Sequence, residues 1–178
     1  MIRPALTAFA LAGSLSACGF IDFETAEAVS DLSPLEADPS GVALFVDLPE
    51  GLSIQPGTAA LAFGAARADT GQSDFVTYPL EEVENEGLTG YRIAPSDLPR
   101  FRGQQMRLRI WEAEAPDATN GTFAVNAEPC TIGPGPAPQA TASVMIQFQE
   151  GEALRPLIED APISRVFNAA DVAAMPAC

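Results

Sequence analysis

Gln104-Gln105-Met106-Arg107-Leu108-Arg109-Ile110-Trp111 is the stretch on which the reading of the fold turns. Met106, Leu108 and Ile110 alternate with Arg107, Arg109 and Trp111, and strict alternation is the period of a half-buried strand, whose successive side chains point to opposite faces. The pattern predicts a strand with the three aliphatic residues in the core. The two arginines then stand outside with Trp111, about 7 Å apart by two residues of rise.

Short apolar runs separated by turn residues lie on either side, which is the signal of an antiparallel all-β domain. Val42–Val46 is apolar on both faces and reads as a central strand ended by Pro49-Glu50-Gly51. Thr58–Ala66 places Leu61 and Phe63 on one face and Ala60, Ala62 and Gly64 on the other, so something can pack closely on its small face. Val76, Tyr78 and Leu80 share a face in Phe75–Leu80, as do Tyr91 and Ile93 in Thr89–Ala94, with the acidic turn Glu81–Gly87 between them. Asp117–Gly121 reads as a turn and Thr122–Ala127 as a strand with Phe123 and Val125 inward. A proline-rich loop over 133–138 cannot donate to a ladder. Strands then follow at Val144–Phe148 and Ala153–Ile158, and a short helix over Asn168–Met175 is capped by Asn168. About eight strands with almost no helix predict an antiparallel β-sandwich of immunoglobulin-like architecture, or alternatively a small β-barrel.

Charge prunes the function classes. The sequence carries 24 acids against 9 basic residues, all of them arginine, and no histidine, for a net charge of −15. Nucleic-acid binding needs a basic surface and is disfavoured. The absence of histidine removes Ser-His-Asp and Cys-His nucleophile systems and histidine metal sites. No cofactor is implied.

Residues 1–17 have a positive start at Arg3, an apolar run from Pro4 to Leu15 and small residues before Cys18, the three parts of an export signal. That run is shorter than the roughly 18 residues needed to span a bilayer. Leu15-Ser16-Ala17-Cys18 resembles the lipobox of bacterial lipoproteins. The resemblance covers residues 1–18 and implies a diacylglyceryl group on the Cys18 sulfur, cleavage before it, and a membrane-anchored chain in the cell envelope. Gly19, where enterobacterial lipoproteins retained in the inner membrane carry aspartate, implies the outer membrane, facing the periplasm. Without residues 1–17, which hold Arg3 and no acid, 8 arginines face 24 acids, a charge of −16. Such a surface gains nothing from anionic lipid, so the lipid on Cys18 would do the anchoring.

With Cys18 lipidated, Cys130 and Cys178 remain as a disulfide pair, permitted in an oxidising compartment. Residues 18–40 are acidic, contain Pro34 and Pro39, and read as a tether with a short helix around Phe23–Leu32, or as a segment packed on the body through Phe20, Ile21 and Phe23. Residues 41–178 form the β domain.

Three candidate sites emerge. Glu81, Glu82, Glu84 and Glu86, or Asp117, Thr119 and Asn120, offer oxygen ligands to a metal, though neither spacing matches a calcium loop and a solvated turn explains both. A carboxylate pair for an envelope enzyme would be assembled in space rather than in sequence. Arg92, Arg107 and Arg109, with Trp111 as aromatic anchor, suggest a partner-binding face that includes neighbouring Arg100 and Arg102. The competing explanation is that these arginines pair with surplus acids. The sequence therefore reads as a non-enzymatic envelope lipoprotein that binds or assembles with an envelope protein partner.

Overall fold

The structure, a computed structural model, describes residues 20–31 and 33–178. Residues 1–17, read above as an export signal, and Cys18 and Gly19 lie outside the described residues. Strand accounts for 40% and helix for 24% of the protein, so it is mainly β but not free of helix. The order is α1 (Phe23–Asp31), β1 (Ala43–Asp47), β2 (Leu52–Ile54), β3 (Ala60–Arg67), β4 (Ser73–Asn85), β5 (Leu88–Ile93), α2 (Leu98–Glu114), β6 (Thr119–Asn126), β7 (Pro129–Thr131), β8 (Thr141–Gln147), β9 (Arg155–Pro162), α3 (Ile163–Val166) and α4 (Ala169–Ala174).

Seven strands form one antiparallel sheet in the order β6-β3-β4-β5-β1-β8-β9, bent into a half-barrel. The sheet is staggered at β4. Ser73–Pro79 pair with β3, whereas Leu80–Asn85 pair with β5, so one long strand serves two flanking groups of strands. As expected, β1 is central, between β5 and β8. β2 and β7 make a separate two-stranded ribbon, to which the Cys130–Cys178 disulfide and a parallel Thr131/Ala177 bridge attach the chain end. Two facing sheets of a sandwich are not formed by the described residues, because what covers the concave face is a helix.

That helix is the stretch read above as the clearest strand. Residues 104–111 lie inside α2, so Met106 and Ile110 are 60% and 52% exposed instead of forming core, and the buried residues are Phe101, Gln104, Gln105 and Leu108. These positions repeat at three and four residues, the helical period, with the partly buried Trp111 continuing it inward onto the core. Asp97 precedes the helix and Pro99 sits in its first turn, where a missing N–H costs nothing. Ala115 departs from helical geometry before Pro116, and the Thr119 hydroxyl donates to the carbonyls of Ala115 (2.8 Å) and Trp111 (3.2 Å).

The core lies between α2 and the concave face: Leu61, Phe63 and Ala65 of β3, Tyr78 of β4, Ile93 of β5, and Phe101 and Leu108 of α2. Phe101 stacks on Phe63 at 4.7 Å and meets Tyr78 edge-on at 5.3 Å. The small face of β3 admits Phe75, whose ring would stand 2.5 Å from a Cβ placed at Gly64. Phe123 and Val125 do face the concave side, but β6 is an edge strand and leaves them 50% and 42% exposed. Asn168 caps α4 in a reciprocal capping box with Asp171, as its position predicts.

The acidic turn is shorter than the sequence suggests. Glu81, Glu82 and Glu84 belong to β4, and the turn itself is Glu86-Gly87, both with positive φ (51° and 81°). Two left-handed central residues define a type I′ hairpin, which favours Asn or Gly over Glu at the first position. Glu86→Gly should therefore stabilise the protein by about 0.5–1 kcal/mol, read as a raised urea midpoint at unchanged slope.

A second prediction concerns fully buried Gln104. Its amide donates to the Phe63 carbonyl (3.2 Å) and Asp74 Oδ1 (3.0 Å), and its carbonyl accepts from the Tyr78 hydroxyl (2.8 Å). Gln104→Met leaves the Tyr78 donor without a partner and should cost about 2–4 kcal/mol. Adding Tyr78→Phe should recover about 1 kcal/mol of that loss, whereas Tyr78→Phe alone destabilises; simple additivity in urea denaturation would refute the coupling.

Candidate functional site

The segment read as a tether lies on the half-barrel. Its first attachment is to edge strand β9, where Ile21 bridges Ile158 and the Asp22 amide donates to the Leu157 carbonyl at 3.1 Å. Its second is to α2, where the Gln105 amide donates to the carbonyls of Pro34 (2.9 Å) and Ala37 (3.0 Å) and Arg102 pairs with Asp38 at 2.8 Å. α1 crosses between the two, and its first turn is held by the Asp22 carboxylate, which accepts from the Thr25 amide at 2.7 Å. We call residues 20–40 the strap.

Strap and half-barrel line a partly open cavity of about 230 Å³. Val29, Pro34, Ala37 and Pro39 line it from the strap; Leu44, Leu61, Leu80, Ile93 and Ile146 line it from the sheet; Phe101 closes it from α2. Phe123, Val125 and Leu157 flank it. Tyr91, Arg92 and Gln105 are the polar side chains in the lining, and the Gln105 amide is already committed to the strap. The surface is therefore apolar, and a larger cleft of about 510 Å³ on the other face of β1 and β5 is instead lined by Glu84, Glu86, Arg92, Gln147 and Glu150 among others.

The four residues proposed as a partner face do not come together. On a strand Arg107, Arg109 and Trp111 would share a side; on α2 Arg109, two residues from each, points nearly opposite to the other two, which are four apart. Arg107 pairs with Asp74 at 2.9 Å, Trp111 packs inward, and Arg109 is exposed with no ion-pair partner among the described residues. Arg92 lies on β5, bound to Glu81 at 2.9 Å with Glu150 at 3.9 Å. Arg100 lies over the Tyr78 ring at 5.4 Å. Pairing with surplus acids thus describes Arg92, Arg102 and Arg107. The alternation of β4 sends Glu82 and Glu84 to the face opposite Glu81, and no group of three or more acids or cysteines placed to hold a metal occurs among the described residues.

Arg67 was not singled out by its sequence context, yet it is nine-tenths buried and joins the end of β3 to the end of α2. It forms a two-point bond with Asp69 (3.1 and 2.7 Å) and a third with Glu114. These partners push the guanidinium pKa further up and hold the Asp69 carboxyl below its usual range.

Asp38 provides a pH test of the strap. The Arg102 guanidinium and then the Ser40 amide lower its carboxyl from 3.8 to about 2. A depressed carboxyl contributes its attraction above the unfolded value and loses it as pH falls through the folded one. Strap docking should therefore weaken between about pH 4 and pH 2. Hydrogen exchange of the amides of residues 35–38 and 40, corrected for intrinsic rates, should rise across that window. Asp38→Asn should show the faster exchange at neutral pH, and no window of its own.

Comparison of the chain with protein-family models, with curated proteins and with solved structures returned no match.

Proposed function

We propose that this protein is a lipid-anchored cell-envelope module, held by a lipid on Cys18, that binds a small apolar ligand between its strap and its half-barrel. The observation that carries the reading is the apolar cavity. Buried polar groups fix a ligand's orientation, but burial of apolar surface supplies most of the affinity, and a preformed apolar concavity is where such a ligand gains most.

Size narrows the class. Cavities of about 150 Å³ hold benzene, and drug-sized ligands occupy about 300–1,000 Å³. At about 230 Å³ the site suits one ring system or the end of one acyl chain, not a whole multi-chain lipid. The negative surface adds a second filter, because anionic ligands approach 8 arginines against 24 acids once residues 1–17 are removed. An uncharged or weakly polar ligand fits both constraints.

The anchoring half of the proposal rests on the Leu15-Ser16-Ala17-Cys18 motif. Metabolic labelling with a fatty acid should mark the native chain and vanish in Cys18→Ala; persistent labelling of the variant would overturn the anchor. For the cavity, the uncharged dye N-phenylnaphthylamine should gain fluorescence with the full chain and be displaced by a medium-chain alcohol. Leu44→Trp from the sheet side and Ala37→Leu from the strap side should each weaken dye binding at least about tenfold by filling the space. Unchanged dye affinity in both folded variants would sink the reading.

A further inference from the structure

The two edges of the sheet are treated differently. β9 is guarded: Ile21 and Asp22 pair with it, it contains Pro156 and Pro162, and it carries Glu159 and Asp160, the latter at φ 47°. Prolines, charges, irregular backbone and covering segments are the means by which proteins keep a sheet edge from pairing with another chain. β6 at the other edge has none of them. Its eight residues, Thr119 to Asn126, pair with β3 along their whole length, and among the described residues no backbone hydrogen bond reaches them from the other side. The strand holds no proline and no charged residue in a chain with 24 acids, and it exposes Phe123 and Val125.

We propose that β6 is a self-association edge, which pairs antiparallel with β6 of a second copy across a two-fold axis and joins two half-barrels into one continuous sheet. An edge strand's unpaired N–H and C=O groups select an extended strand as partner. The charge pattern selects a second copy. An isologous contact sets a patch against itself, so in a strongly acidic molecule it needs a patch without charge, which β6 supplies. A two-fold pairing sets residues of like parity opposite each other, 120 opposite 126 when the axis passes through Phe123, and brings Asp117 of each copy toward Glu128 of the other. Association should therefore strengthen as salt screens those carboxylates, the reverse of what a basic partner would show.

Eight residues per copy is well short of the 20–30 of a standard interface, so the contact is weak in solution and gains from confinement to a membrane. Sedimentation equilibrium of the full chain in density-matched detergent should show a concentration-dependent dimer, favoured at about 0.5 M over about 0.05 M sodium chloride. Amides 119–126 should exchange more slowly as concentration rises. Asn120→Lys with Thr122→Lys places like charges on the edge, on the face opposite the cavity. This double variant should weaken the dimer at least about tenfold while leaving N-phenylnaphthylamine binding unchanged. A wild-type chain that stays monomeric at the highest concentrations would overturn the proposal, even if β6 became protected by another protein's strand. So would a dimer that persists in the double variant, or one whose formation leaves amides 119–126 unprotected.

Discussion

The side chain of Gln104 is the point at which the two halves of the core meet. A helix laid on the concave face of a sheet is held mainly by apolar contact, which has no direction and so does not specify register. Gln104 supplies direction. Its amide reaches a β3 carbonyl and a β4 carboxylate, and its carbonyl receives the Tyr78 hydroxyl, so one rotation and one height of α2 satisfy every group. A turn out of place would leave three buried polar groups unpaired, at about 1–3 kcal/mol each. Gln105 extends the same logic to the other side of the helix, where its amide holds the strap. Arg67 and Glu114 fasten the far end of the helix. Two adjacent glutamines and one arginine thus fix α2 against the sheet below and the strap beside it.

This arrangement explains what could be read from the residues in order and what could not. β1 announces itself as a run apolar on both faces, and β3, β5 and the first half of β4 by the alternation of their large apolar residues. α2 hides. Its buried face is Phe101, Gln104, Gln105 and Leu108, and the two glutamines dilute the helical period, while exposed Met106 and Ile110 and partly buried Trp111 create a false period of two. The signals that favour the helix were Asp97 and Pro99 at its start and Pro116 at its end, together with helix-favouring Gln, Met, Leu and Arg inside. Buried amides defeat hydrophobic patterning because they are polar in composition and core in position. The cavity was illegible for a related reason: it needs the strap, α2 and all seven strands of the large sheet at once, and no local pattern encodes that convergence.

β4 staggers the two parts of the half-barrel. It pairs with β3 over its first half and with β5 over its second, and α2 packs on the face that carries the core. Pro79 stands at the changeover, where pairing passes from one neighbour to the other. Close approach of Phe45 to Gly90, where a Cβ would meet the ring at 2.4 Å, then seats β1 beside β5 on the convex face.

The strap's attachment at two separated points has a kinetic meaning. Residues 20–22 grip β9 and residues 34–38 grip α2, and either grip can open while the other holds. The freed end then remains tethered within a loop of a dozen or so residues, and loops of about ten residues close in about 10–100 ns. Reclosing at one end is therefore fast, and an opening there uncovers part of the cavity without disturbing the sheet ladder. A ligand held there as proposed would leave through such a half-open state, with no need for the domain to unfold.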